Sequence, residues 1–297
     1  MTSTQAIGSR RMFKSDQAHA LFLAQYENAL RNWPVSFEEL FVPTRFGRTH
    51  LIASGEPGAP PLFLLPALLQ CAPAWRANIQ QLSKTFRTYA VDVLGEPNRS
   101  EPTSTMKTRH DHARWFEDLL DGLSIRQASI VGNSYGGLIA LNMASLIPAR
   151  ISKVVAISPA GPRSLTPLSW RFYFHIGAGV IPGVVPFRVW ARNGVPIDPL
   201  DVPWQELSAT AMEKGRIQLP PTGEFGRAEL QRIALPVLLL IGDREVVYGP
   251  NPAQVLERAL SRNAPAFQGE IVPGGNHMAA MAQPDWVNER IARFLAQ

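Results

Sequence analysis

The chain has one cysteine, Cys71, among 297 residues. No intramolecular disulfide can form, no multi-cysteine zinc site can be built, and the usage fits a reducing compartment. Charge is also scarce, at 18% of residues against roughly 25% for an average soluble domain. The 29 Lys and Arg outnumber the 24 Asp and Glu by a net charge of only +5. The basic residues are scattered, with no block of like charge and no basic run interleaved with aromatics, so the electrostatic footprint of a nucleic-acid binder is missing. No apolar run reaches the roughly 18 to 20 residues that cross a bilayer. The longest ones are broken by Pro61 and Pro66, or by Pro182 and Pro186. There is no internal repeat and no low-complexity tract. What remains is a chain that is 45% hydrophobic. At this length folding buries roughly three quarters of the unfolded surface, so the core needs neither disulfides nor a structural metal.

Ser9, Arg10, Arg11, Met12, Phe13 and Lys14 read like the start of a twin-arginine export signal. Such a signal needs an apolar stretch and a small-residue cleavage site next. Instead Leu21, Phe22, Tyr26, Leu30 and Trp33 recur at three- and four-residue steps, which predicts an amphipathic helix from Asp16 that Pro34 ends. The expectation is therefore a cytoplasmic protein.

Beyond Pro34 the period changes. Phe37, Leu40 and Val42, then His50 to Ala53, predict two strands around the turn of Phe46, Gly47 and Arg48. Pro61 to Leu65 (PLFLL) has the continuous apolar character of a strand buried on both faces. Further strands are predicted at 87–92, 128–132, 151–158, 236–242 and 267–272. Helices are predicted at 112–123, 136–147, 253–260 and 285–295. Strands alternating with helices imply βαβ units, a mainly parallel sheet, and ligands outside the carboxyl ends of the strands. Residues 160–230 interrupt the alternation. They hold nine of the 26 prolines and three of the seven tryptophans, and an insertion this long is more often a functional cap than a bare loop. The expected organisation is an N-terminal segment and helix (1–34), a core made of 35–159 and 231–297, and a cap (160–230).

Chemistry belongs in loops that follow strands, and one such loop carries a motif. Gly132, Asn133, Ser134, Tyr135 and Gly136 lie directly after the strand QASIV and before the helix GGLIALNMASLI. Gly-x-Ser-x-Gly between strand and helix makes a nucleophile elbow. Its tight turn strains the serine backbone, and its glycines let strand and helix approach without a side chain between them. Ser134 would stand at the sheet edge above a helix N-terminus, which favours developing negative charge.

A serine hydroxyl needs a base. Of six histidines, His277 lies in the loop Gly274-Gly275-Asn276-His277 between the last strand and the last helix, where a turn can bring it back over the elbow. His19, His50 and His175 have structural readings. His110 and His112, two positions apart on a helix, diverge and make a poor metal pair. The base in turn needs a carboxylate to fix its tautomer. The loop after LPVLLLIG offers Asp243 and Glu245. Asp243 follows the glycine at once and suits a turn, while Glu245 has more reach and is the expected acid. The loop after ISKVVAIS, with Pro159, Ala160 and Gly161, has none.

With these motifs in this order, the chain resembles the α/β-hydrolase fold superfamily of serine esterases and lipases over roughly residues 36–297. Glu245 falls on the acid of the Gly-x-x-Asp pattern common in that family, and Pro273-Gly274-Gly275-Asn276-His277 echoes its Pro-Gly-x-Gly-His. The resemblance implies an α/β-hydrolase fold, a mainly parallel central sheet flanked by helices, with a helical cap inserted after the sixth strand. It implies an oxyanion hole made by the backbone N–H groups of Leu68 and Tyr135, and no cofactor. One departure stands out: the His-Gly that the family usually has after the third strand is Pro66-Ala67 here. The segment Asp92 to Ser100 keeps Asp-x-x-Gly of a further family motif, and its expected role is structural.

Leu69, Trp170, Phe174, Trp190 and Met278 are candidates to line an apolar substrate pocket. The expected activity is hydrolysis of a carboxylic ester or related acyl compound, such as a lactone or thioester, by a monomer or homodimer acting on a small molecule. Acyl transfer, C–C or cyanohydrin cleavage, and ligand binding without catalysis are the alternatives on such a scaffold.

Overall fold

The computed structural model describes residues 12–160, 202–220, 227–245, 247–248, 251–262 and 266–297. The predicted N-terminal helix is α1 (Asp16–Arg31). The Ser15 side chain caps it by accepting the Ala18 N–H at 3.1 Å, Asp16 favours the positive end of the helix, and Phe22, Tyr26, Ala29 and Leu30 form its buried stripe. An antiparallel pair follows, β1 (Phe37–Thr44) and β2 (Gly47–Ser54). The hairpin turn is tighter than the sequence reading placed it, since Gly47 and Arg48 already pair within the ladder.

From β3 (Pro61–Leu65) the chain alternates. A short 3₁₀ turn (Ala72–Trp75) leads into α2 (Arg76–Leu82), then come β4 (Arg87–Val91), the two-residue β5 (Glu101–Pro102) and α3 (Arg109–Gly122). Next are β6 (Ala128–Asn133), α4 (Tyr135–Leu146) and β7 (Ile151–Ile157). After the insertion's helices α5 (Val202–Lys214) and α6 (Arg227–Gln231) come β8 (Val237–Gly242), α7 (Pro252–Arg262), β9 (Phe267–Val272), the short α8 (Ala279–Ala282) and α9 (Pro284–Ala296). With the two-residue β5 set aside, β7 is the sixth strand in chain order, and residues 160–230 follow it.

The sheet order is β1-β2-β4-β3-β6-β7-β8-β9, with β5 paired to β2. All pairings from β4 through β3 to β9 are parallel. Period-two alternation sends Phe63 and Leu65 of β3 to the face packed by α3 and α4, and Leu62 and Leu64 to the face packed by α1 and α9. The carboxyl ends of β3, β6, β7, β8 and β9 therefore lie side by side on one edge. The N-terminal segment reaches across to the insertion: α1 packs on α5, and Phe13 bridges Gly215 with Lys14 N–H donating to Lys214 C=O at 2.9 Å.

Where β6 turns into α4, a Cβ added to Gly136 would lie 2.1 Å from the carbonyl oxygen of Leu65, and one added to Gly132 would lie 2.2 Å from that of Gly136. Both contacts are with backbone, which cannot swing aside. Gly136→Ala is expected to destabilise the fold toward the upper end of the about 1–3 kcal/mol typical of overpacking, read as a lower urea midpoint. An unchanged midpoint would contradict so close an approach.

Candidate active site

The elbow puts Ser134 at φ 51°, ψ −112°, a conformation that is costly for a residue with a side chain and is held only by its surroundings. Here the backbone holds it. The Ser134 N–H donates to Ile157 C=O at 2.8 Å, and the Ser134 C=O accepts from Ala160 N–H at 2.9 Å and from Leu138 N–H at 3.1 Å. The neighbouring strand β7 thus fixes the strained turn from the side.

The last strand delivers His277. Its Nε2 is 2.9 Å from Ser134 Oγ and its Nδ1 is 2.9 Å from Glu245 Oε2. With Nδ1 donating to the carboxylate, Nε2 is the acceptor for the serine hydroxyl. All three residues are at most 9% exposed, so water competes little for these bonds. Burial alone would raise the Glu245 carboxyl. The facing His277 and the Val247 N–H, which donates to Oε1 at 2.8 Å, outweigh it and hold the group below its ordinary value. Glu245 is therefore the acid that meets His277, as expected from its reach. Asp243 is the turn residue, its Oδ2 accepting the Gly274 N–H at 2.9 Å.

The contacts of Asn133 and Tyr248 were missed by sequence reasoning. Asn133, inside the elbow motif, donates from Nδ2 to His277 C=O at 3.4 Å and lies 3.8 Å from Met278 Sδ, tying the elbow to the histidine loop. Tyr248 donates to Pro159 C=O at 2.6 Å, and its ring meets that of His277 edge-on at 6.1 Å between centroids. Tyr135, directly after Ser134, has its hydroxyl 3.5 Å from His112 Nε2. Burial pushes His112 down to about 4, so the ring is neutral at physiological pH. His110 is exposed. Cys71, buried near Asp92 and Glu96, has its thiol pushed up by burial and by those carboxyls, which keeps it protonated and inert.

Leu68 and Leu69 lie in the loop after β3, beside the elbow. Leu69 has a φ of 61°. Among the proposed pocket residues Met278 is buried at the histidine loop, while Trp170, Phe174 and Trp190 lie outside the described residues.

The Asp92–Ser100 segment proves to be a buried brace for this edge. Asp92 Oδ1 accepts the Ala72 N–H at 2.8 Å and its Oδ2 meets His50 Nδ1 at 3.0 Å. His50 Nε2 meets Glu39 Oε1 at 3.0 Å on the other side. Burial opposes a charge on His50, and Arg99 nearby opposes it too, but the bonds to Asp92 and Glu39 prevail and raise its pKa above the ordinary 6.5. A raised folded value means that this stabilisation is full below pH 6.5 and is lost as the pH rises through the folded value. The stability gap between wild type and His50→Gln is expected to narrow from about pH 6 to about pH 9 in urea unfolding. A constant gap would show that His50 is neutral throughout.

A family model for the alpha/beta hydrolase fold matches residues 60–185. The chain is 36% identical over 277 residues to the uncharacterized carboxylesterase nap of Bacillus subtilis (strain 168), covering 91% of this chain and 90% of that one. It is 34% identical over 290 residues to carboxylesterase YbfK of the same strain, covering 95% and 96%. The crystal structure of naproxen esterase (carboxylesterase NP) from Bacillus subtilis matches with a TM-score of 0.83 at 33% identity, covering 92% of this chain and 96% of that one. Similarity over nine-tenths of the chain is more than three short motifs could produce, and the chain belongs to the α/β-hydrolase fold family.

Proposed function

We propose that this protein is a carboxylesterase that works through an acyl-serine intermediate. The observation that carries the reading is the buried chain of hydrogen bonds from Ser134 through His277 to Glu245, at 2.9 Å each. Similarity to the Bacillus carboxylesterases supports ester hydrolysis as its activity.

In this reading Ser134 Oγ attacks the ester carbonyl carbon while His277 Nε2 takes the hydroxyl proton. The carbonyl π pair moves onto oxygen, and the N–H groups of Leu68 and Tyr135 bind that oxyanion. Glu245 holds the imidazole in place and offsets the charge of the imidazolium. The tetrahedral adduct collapses with loss of the alcohol, which leaves with the proton from His277. Water then repeats the sequence on the acyl-serine, releasing the acid and restoring the hydroxyl. Every proton moves between groups of this chain, the substrate and water.

Residues 160–230 are assigned as the cap over this edge, on the core of 35–159 and 231–297 with the N-terminal segment 1–34 beside it. The Gln218 N–H bonded to Gly95 C=O at 2.8 Å supports that placement. Leu69 and Met278, with Trp170, Phe174 and Trp190 of the cap, would line an apolar acyl or alcohol pocket for a small substrate. The same reading has a monomer or homodimer acting in the cytoplasm.

The test is release of p-nitrophenol from short and medium acyl esters, with free acid measured alongside and an alcohol acceptor added in one arm. Hydrolysis gives acid in step with p-nitrophenol. Absence of turnover, or acyl product captured wholly by the alcohol, would overturn the reading, the second outcome in favour of acyl transfer.

A further inference from the structure

The loop that replaces the family's usual dipeptide is held from outside itself. Ala67 to Gln70 form a turn closed by Gln70 N–H to Ala67 C=O at 3.0 Å, and Leu69 sits at its third position with φ 61°. Turns of this kind normally place Gly or Asn there. A leucine in that conformation persists only where the surroundings dictate it. Asp92 anchors the far end of the loop through the Ala72 N–H. The strained residue itself is held by Glu96, whose Oε2 accepts the Leu69 N–H. Glu96 is 1% exposed, and its Oε1 has no partner among the described residues. It is also rigidly mounted, between Gly95, whose C=O accepts from Gln218, and Asn98, whose Nδ2 donates to Val93 C=O at 2.7 Å.

We propose that Glu96 is the positioning residue of the oxyanion loop, its carboxyl fixing the turn that aims the Leu68 N–H at the carbonyl oxygen bound beside Ser134. The proposal rests on the assignment of Leu68 as an oxyanion donor. Glu96 acts through the turn and touches no reacting atom. The position needs an acceptor but not a charge, because a carboxylate this close would repel the oxyanion it helps to stabilise. Burial, opposed by the Leu69 N–H and reinforced by Asp92, pushes Glu96 up to about 8, so at neutral pH it is mostly a neutral acid that still accepts through one oxygen. The titratable groups that feel it among the described residues are Asp92 on its own loop, Cys71 on the turn's loop and Tyr135 on α4. Burial pushes Cys71 and Tyr135 further above their ordinary alkaline values, so neither changes charge near pH 8.

The test compares wild type, Glu96→Leu and Glu96→Gln on a p-nitrophenyl ester, with folding checked by circular dichroism. Leucine keeps the bulk but offers no acceptor, and kcat is expected to fall by about 10- to 100-fold with KM within about threefold, less than the loss of a whole oxyanion donor. Glutamine keeps an acceptor and is expected to recover most of that loss. Wild-type kcat should decline above about pH 8 while that of Glu96→Gln stays level. Folded Glu96→Leu with wild-type kcat, or Glu96→Gln as impaired as Glu96→Leu, would overturn the proposal. Where Glu96→Leu does not fold, the pH profiles decide, and identical profiles for wild type and Glu96→Gln overturn it. A wild type that hydrolyses no ester would instead overturn the esterase reading on which the proposal rests.

Discussion

Ser134→Ala is expected to lower kcat for a p-nitrophenyl ester by about 10⁶-fold with the fold intact. The substitution removes only Oγ, whose partner is His277 Nε2. The three backbone bonds that hold the elbow in its strained conformation involve the Ser134 N–H and C=O, not the side chain. Alanine also carries a Cβ, so the backbone strain is the same. What survives is the contribution of substrate binding and the oxyanion donors, on the order of 10³–10⁴ over the reaction in water. Steady-state kinetics with a thermal melt beside them check this. A folded variant retaining more than about 1% of wild-type kcat would mean that another group is the nucleophile.

Glu245→Gln is expected to cost about 10⁴-fold in kcat with little change in KM. The amide matches the carboxylate in size, so packing around a residue that is 3% exposed is preserved. The chemistry is not. An amide N–H facing His277 Nδ1 stabilises the tautomer that carries its proton on Nε2, and that nitrogen can then no longer accept from Ser134. The acid also has a stability signature. Its folded value is depressed, so its contribution is present above the ordinary carboxylate value and is lost as the pH falls through the folded one. Wild type should lose more stability than Glu245→Gln between about pH 6 and about pH 3 in urea unfolding. A variant within about tenfold of wild-type kcat would show that the carboxylate does not set the tautomer.

The parts of the site that the sequence made legible are those encoded in short, contiguous stretches. Ser134 sits between glycines that sterics require, His277 follows a glycine pair, and Glu245 is one of two acids in a loop whose preceding strand is unmistakable. The element order was readable because β3, β6, β7 and β8 are apolar runs separated by helices. What escaped is held together by contacts distant in sequence. The link from Glu96 to Leu69 spans 27 residues, and the link from Asn133 to the histidine loop spans 144. Helix α2 has no apolar stripe to betray it, since one of its buried residues is Asn78. That side chain donates to Ala280 C=O and to Asn288 Oδ1, both at 2.9 Å, and a buried polar pair of that kind leaves no hydrophobic period. The replaced dipeptide Pro66-Ala67 is visible in the sequence as a departure, but what holds its loop is not. The contacts to that loop come from Asp92 and Glu96, some 25 residues further along.

The most direct measurement of the central claim is the mass of the intact protein after treatment with a fluorophosphonate, followed by peptide mapping and residual activity at each time point. One phosphonyl group on Ser134, gained in step with the loss of esterase activity, is the expected result. Folded, active protein that takes up no phosphonate, or that loses activity with the label on a different residue, would contradict the assignment of Ser134 as the nucleophile.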